Sequence, residues 1–351
     1  MKMKKLRVGQ IGTLHDHSQG KLAAAAKFPD IFEIVGVVPD SDETIAEARA
    51  RGYENFTYLT REQLQRTKPF CDYPLMTEEQ LYNAGCDLIL VEGFEYDLVP
   101  TALRCVENGI PVHMDKPAGC DLSEFERLIE AARRRSLPLQ LAYMYRYNPA
   151  VQKAMQLAKS GSLGRILSVD AQMSTFHAKW YKEWLSRFDG GSMYIFGSHL
   201  VDIVVSLLGE PDTVASFFRC TDTDGISFPD NTLAVLGYGA ALARIYVSSV
   251  EVNGWGRRQL TVAGDKATVS ILPLENVTAM TYSDLSIATD AYRDMKENIA
   301  VPDIPQDCRY DVMMRGFYDY ITGRTENPYT YEHEYAVQKT LLRIINGDNA
   351  H

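Results

Sequence analysis

The stretch 6-LRVGQIGTLHDHSQGKLAAAAKF-28 decides the fold. Leu6 to Gly12 is a short apolar strand. Ser18 to Phe28 has the composition of a helix, and the turn between them is where an open α/β sheet receives a nucleotide. That turn normally needs glycines so that backbone N–H groups can approach pyrophosphate. Of the usual three only Gly12 remains, and Thr13, Leu14, His15, Asp16 and His17 follow it. The backbone N–H groups of this turn, with ring N–H groups from His15 and His17, are expected to lie over pyrophosphate, while Asp16 points away from the anion. The same residues also suit a plain helix start, since Asp16 and Ser18 are both N-cap types.

The rhythm continues outward from this stretch. "FEIVGVV", "DLILVEG", "IPVHMD" and "LPLQLAY" read as strands, and "SDETIAEARARG", "YDLVPTALRCVENG" and "LSEFERLIEAARRRS" as the helices between them. Short apolar strands alternating with amphipathic helices predict a parallel sheet covered on both faces. Gly52 and Gly109 stand where left-handed helix terminators are wanted. Two short helices are expected near Arg61–Gln65 and Thr77–Tyr82.

After Pro149 the pattern changes. A helix near residues 150–159, a strand from Arg165 and a helix over 199–208 precede "TVASFFRCT", "TLAVLGYG", "ALARIYVSSV", "RQLTVAG" and "ATVSILP", which are joined by short turns. Such spacing predicts an open, mainly antiparallel sheet. The expected fold is a Rossmann-like α/β domain over residues 1–145, followed by an α+β domain over 146–351. The last helices are expected to pack back towards the first domain.

Composition narrows the function. With 351 residues and 46% hydrophobic content, the chain can bury more than one core. A net charge of -10 argues against general nucleic-acid binding, and no apolar run is long enough for a membrane span. Six cysteines without C-x-x-C spacing suit reduced thiols, so a cytoplasmic location is expected.

Several positions carry chemistry. Asp40 follows the second strand, 23 residues beyond His17, near the spacing of about 20 for a ribose-binding acid. It also suits a helix cap. Asp40, Asp42 and Glu43 would repel a 2′-phosphate, which favours NAD over NADP as cofactor. In "GIPVHMDKPAG" a strand delivers Asp115 and Lys116 to its carboxyl end, where ligands of open sheets bind. "FDGGSMYIFGSHLVD" sets Gly190, Gly191 and Gly197 beside His199, with Asp202 one helical turn on. Histidine exchanges protons near neutral pH, and Asp202 could orient it or bind a substrate hydroxyl. Trp180, Tyr181 and Trp184 could stack on a sugar face, as well as serve a core.

Four motifs in this order, the first strand, "DKP", "YMYRYNP" and "GGSMYIFGSHLVD", resemble the glucose-fructose oxidoreductase and inositol dehydrogenase family (Gfo/Idh/MocA) over nearly the whole chain. The resemblance implies an oxidoreductase using a nicotinamide dinucleotide on a sugar, cyclitol or related polar small molecule. It implies Lys116 and His199 as catalytic, with Tyr143 or Arg146 at the substrate mouth, and a homodimer or homotetramer. The chain departs from the family pattern at Asp115 (usually glutamate), at Gly93-Phe94-Glu95 (usually T-P-N) and at Ile195, where an aspartate is common. The cofactor site expected on this basis comprises Gly12, Thr13, Leu14, His15, His17, Asp40, Gly93, Asp115 and Lys116. No metal is assigned. Metal-dependent hydrolysis through His15-x-His17 with His113, His177 and His199 is a weaker alternative, because the β/α alternation stops too early for a barrel. A non-catalytic ligand-binding protein on the same scaffold is another.

Overall fold

The computed structural model describes residues 4–52, 59–275, 277, 279–284, 296–300 and 309–347. The chain divides into two compact units: Met1–Tyr143 with Asp307–Gln338, and Met144–Gln306 with Lys339–His351.

In the first unit, β1 (Leu6–Ile11), β2 (Phe32–Val38), β3 (Leu88–Val91), β4 (Val112–Met114) and β5 (Leu139–Leu141) form a parallel sheet in the order β2-β1-β3-β4-β5. The chain moves outward from β1 to β2 and then returns to the other side of β1. This reversal leaves a crevice at the carboxyl ends of β1 and β3. All four residues of β3 are fully buried, as a strand covered on both faces must be.

The helices form for local reasons. Helix Leu122–Arg135 starts at Asp121, whose carboxylate accepts the N–H groups of Ser123 and Glu124. It ends in Arg133, Arg134 and Arg135, which complement its dipole. Phe125, Leu128, Ile129 and Ala132 put one stripe inside, worth about 1.5–3 kcal/mol for each large side chain. The two short helices, Arg61–Leu64 and Glu78–Asn83, are each held by a capping box, Thr60 with Gln63 and Thr77 with Gln80. The late helix Asp311–Ile321 belongs to this unit, where the Tyr318 hydroxyl donates to the Lys4 carbonyl at 2.8 Å. From helix Tyr331–Asn346, Glu334 accepts the Leu141 N–H at 3.1 Å and Gln338 accepts that of Ala118 at 3.1 Å.

The second unit is built on eight strands: β6 (Ile166–Gln172), β7 (Thr213–Arg219), β8 (Asn231–Tyr238), β9 (Ala241–Ser248), β10 (Gln259–Gly264), β11 (Ala267–Ile271), β12 (Ala279–Asp284) and β13 (Lys296–Ala300). Their order is β13-β12-β11-β10-β6-β9-β8-β7. Neighbours are antiparallel except β6 and β9, which run parallel. Helices Pro149–Lys159 and Ser198–Leu208 pack on one face. Accordingly Ala234 and Leu236 of β8 and Ala243, Ile245 and Val247 of β9 are buried. Their alternating neighbours form the other face, where Phe217 and Leu242 stay 50% and 58% exposed.

Candidate active site

After β1 the chain turns at Gly12, φ +90°, where a Cβ would lie 2.3 Å from the Gly93 amide nitrogen. Only glycine allows the ends of β1 and β3 to approach so closely. Thr13 then gives its N–H to the Asp40 carboxylate at 2.7 Å, with its hydroxyl at 3.3 Å from the same oxygen. Asp40 is not the helix cap: Ser41 accepts the Thr44 N–H at 3.1 Å and starts helix Asp42–Ala50. Burial pushes the Asp40 carboxyl up to about 6, against the bonds from Thr13. Beside this turn opens a cavity of about 600 Å³, lined by Gly12, Thr13, Leu14, Asp40 and Gly93 among others. Arg104 reaches its wall already paired with Glu78, at 3.0 and 2.8 Å.

The rest of the loop is turned inward. Helix Ser18–Ala26 starts at His17 without a side-chain cap, so Asp16 does not have the capping role the sequence allows. The Ser18 hydroxyl instead ties back to the Thr13 carbonyl at 3.0 Å. The N–H of His15 goes to the Glu92 carbonyl at 3.2 Å, and that of His17 to His15 Nδ1 at 3.2 Å. His15 Nδ1 lies 3.3 Å from Asp115 Oδ2 and 3.2 Å from Asp16 Oδ1, and its Nε2 3.4 Å from Glu95 Oε1. His17 Nδ1 lies 3.0 Å from the same Asp115 oxygen, and its Nε2 3.4 Å from Asp16 Oδ1. Both imidazoles therefore face carboxylates. This corrects the reading in which the two rings offer their donors to phosphate.

Lys21 completes the cluster. It is fully buried and bonds Glu92 at 2.8 Å and Asp115. Burial opposes its charge, but Asp115 and Glu92 raise its pKa. Burial likewise opposes a charge on His15, yet Asp115, Asp16 and Glu95 raise it to about 9. On His17 burial wins, and the ring is shifted down. Asp115 Oδ1 accepts the N–H of Lys116 at 2.6 Å, so this carboxylate links the loop to the lysine. Lys116 is 3% exposed, and burial lowers its pKa despite Asp115, Asp16 and Glu95.

In the second unit, the glycine-rich stretch leads through a π-helical turn, Met193–Gly197, into helix Ser198–Leu208. A Cβ at Gly197 would lie 2.3 Å from Met193 Sδ. Such turns recur at functional sites. His199 is 5% exposed, and its ring meets Tyr145 edge-on at 5.0 Å. Arg146 holds Asp202 through Nε at 3.0 and 3.1 Å and Nη2 at 2.7 Å, with both side chains 1% exposed. Asp202 thus serves Arg146 as a buried counter-ion. Trp180 is 52% exposed and edge-on to Tyr181, which stacks on His177 at 4.4 Å. Tyr143 is buried in the first unit.

Sequence reasoning missed Lys21, Glu92 and the buried set of Tyr145, Arg258 and Glu275, in which Arg258 Nη1 meets Glu275 at 2.7 Å and Tyr145 donates to the same carboxylate. One signal was present. Lys21 lies four residues after His17, on the same helix face, beside a run of alanines that could cover no exposed cation. His113 and His177 stand apart from the loop cluster among the described residues, and the open five-stranded sheet is not a barrel, which removes the barrel hydrolase.

Residues 151–270 match the GFO/IDH/MocA C-terminal domain. The chain is 29% identical over 133 residues to the dehydrogenase aclE of Aspergillus oryzae, covering 36% of either chain. It is 24% identical over 200 residues to scyllo-inositol 2-dehydrogenase (NADP(+)) IolW of Bacillus subtilis, covering 55% of this chain and 54% of the relative. The first curated relatives are thus spanned over about a third to a half of their length. The solved structure of the WlbA dehydrogenase from Bordetella pertussis, in complex with NADH and UDP-GlcNAcA, has the same fold, with a TM-score of 0.71 at 18% identity over 98% of this chain and 96% of that one. Residues 151–270 thus carry a GFO/IDH/MocA C-terminal domain, and the chain as a whole shares the fold of that solved dehydrogenase.

Proposed function

We propose that the protein is an NAD-dependent oxidoreductase acting on a hydroxyl or keto carbon of a sugar, cyclitol or related polar small molecule. The observation that carries this reading is the cavity at the carboxyl ends of β1 and β2, with Gly12 at its turn and Asp40 on its wall. These residues fit the adenosine half of a nicotinamide dinucleotide. Asp40 would accept from the ribose hydroxyls, and Thr13, Leu14 and Gly93 would line the path of the phosphates. The bound nicotinamide supplies the hydride acceptor or donor. His199 would take or return a hydroxyl proton, and Lys116 would hydrogen-bond a substrate oxygen and favour its developing negative charge. Trp180 offers a half-exposed ring to a sugar face. The IolW and WlbA names, an inositol dehydrogenase and a dehydrogenase holding a UDP-sugar, support a polyhydroxylated substrate.

Calorimetric titration of the purified chain tests the cofactor. NADH is expected to bind saturably and more tightly than NADPH, because Asp40 and Asp42 line the cavity where a 2′-phosphate would sit. Asp40→Ala should weaken NADH by roughly ten-fold, the scale of a lost charge-assisted hydrogen bond. Absence of saturable binding at millimolar nucleotide would refute the dehydrogenase reading.

The second-unit sheet supports a homo-oligomer. Phe217, Leu233, Val235, Leu242 and Tyr246 share the face opposite the helices, a larger apolar area than a solvated sheet face needs. Light scattering at micromolar protein should give a dimer or larger, and Leu242→Glu should shift it towards monomer. A monomeric wild type would contradict the assignment.

A further inference from the structure

We propose that His15, His17 and Asp115 form a binding site for one divalent cation of the Zn²⁺ type, which clamps the shortened nucleotide loop to the end of β4. Their ligand atoms lie within 4.8 Å of one another among the described residues. The proposal does not depend on the oxidoreductase reading, because it concerns how the loop is held.

The geometry is that of ligands around an ion. Zinc bonds of about 2.0–2.2 Å in a tetrahedron put neighbouring donors about 3.3–3.5 Å apart. His15 Nδ1 and His17 Nδ1 stand 3.3 and 3.0 Å from one oxygen of Asp115. The far nitrogens are also placed as metal ligands require. His15 Nε2 points to Glu95 and His17 Nε2 to Asp16, each at 3.4 Å. A carboxylate beside the outer nitrogen can hold an N–H there, the tautomer that turns the inner lone pair towards a metal. His15 Nδ1 is already used as an acceptor, by the His17 N–H at 3.2 Å. Two imidazole nitrogens and the Lys21 ammonium thus converge on one oxygen of Asp115, and a cation held by both rings and that oxygen would take the place of the ring protons there.

Charge points the same way. Asp16, Glu92, Glu95 and Asp115 surround this pocket of the loop, and Lys21 and Lys116 are the ammonium groups that face them. Burial pushes Glu92 up to about 8 and raises Glu95 as well, so the carboxylates of Asp16 and Asp115, both held low, are the ones that would draw a cation once the imidazoles give up their protons in its favour. Lys21 does not displace it, since a carboxylate oxygen has two lone pairs and the ammonium needs one. Two imidazoles and one carboxylate suit zinc, with the fourth position left to water. The clamp would do by coordination what glycines do elsewhere by conformation.

The test uses the full chain, stripped by chelator and titrated with Zn²⁺ by calorimetry, and with Co²⁺ followed by visible absorption. About one equivalent of Zn²⁺ should bind in the micromolar range or tighter, and Co²⁺ should give the intense bands of a four-coordinate ion. His15→Ala and His17→Ala should each weaken Zn²⁺ by at least roughly 10–100-fold, the range seen even for outer partners of metal ligands. No saturable Zn²⁺ binding by the wild type, or undiminished binding in the double variant, overturns the proposal. So does a weak octahedral Co²⁺ spectrum, a readout that holds even where a variant fails to fold.

Discussion

Replacement of Lys116 by alanine, and separately of His199, is expected to lower kcat/KM by about 100-fold or more, the scale of a lost acid-base or oxyanion-stabilising group. Lys116 is delivered by the end of β4 and held by its own N–H to Asp115 at 2.6 Å. Its burial lowers the cost of giving up a proton and excludes the water that would screen its charge. His199 sits in the first turn of its helix, almost fully buried against Tyr145, where an imidazole is held in one orientation. Lys116→Arg keeps the charge but not the compact ammonium, so it should recover little. Steady-state kinetics on an identified substrate, with circular dichroism to show an intact fold, measures this. Turnover within a few-fold of wild type in both alanine variants would move the chemistry elsewhere.

The loop that decides the fold also shows where reading a sequence stops. Alternating strands and helices were legible because each carries its own periodicity, and β1 to β5 fall where the apolar runs lie. Gly12 was legible because a tight turn straight after a strand favours glycine. The partners of His15 and His17 were not. Asp115 lies about a hundred residues away, and its pairing with the loop comes from the strand order, which puts β3 beside β1 and β4 next to it. Lys21 was visible only as a cation on an alanine-rich helix. In the second unit β12 and β13, "AMTYSD" and "KENIA", show no clear alternation. They pair because β11 offers an open edge. Asp202 illustrates a different limit. One turn after His199 it reads as a catalytic partner, and the arginine that actually holds it lies 56 residues earlier.

That arginine leads to the other large effect. Asp202→Ala is expected to destabilise the second unit by about 3–5 kcal/mol, because it removes the carboxylate that accepts three hydrogen bonds from a guanidinium 1% exposed. In a domain of this size the loss corresponds to roughly 6–20 °C in Tm. Asp202→Asn should fall between, since an amide oxygen still accepts from Arg146 without the charge. The double variant Arg146→Met with Asp202→Leu removes both ions and should regain much of the loss, because desolvating an ion pair cancels most of its attraction. A catalytic aspartate behaves in the opposite way. Its alanine variant loses turnover with little change in Tm, and removing Arg146 as well restores nothing. Differential scanning calorimetry of the three variants, beside their kinetics, separates the two roles, and an Asp202→Ala protein that melts within 2 °C of wild type would return this residue to the chemistry.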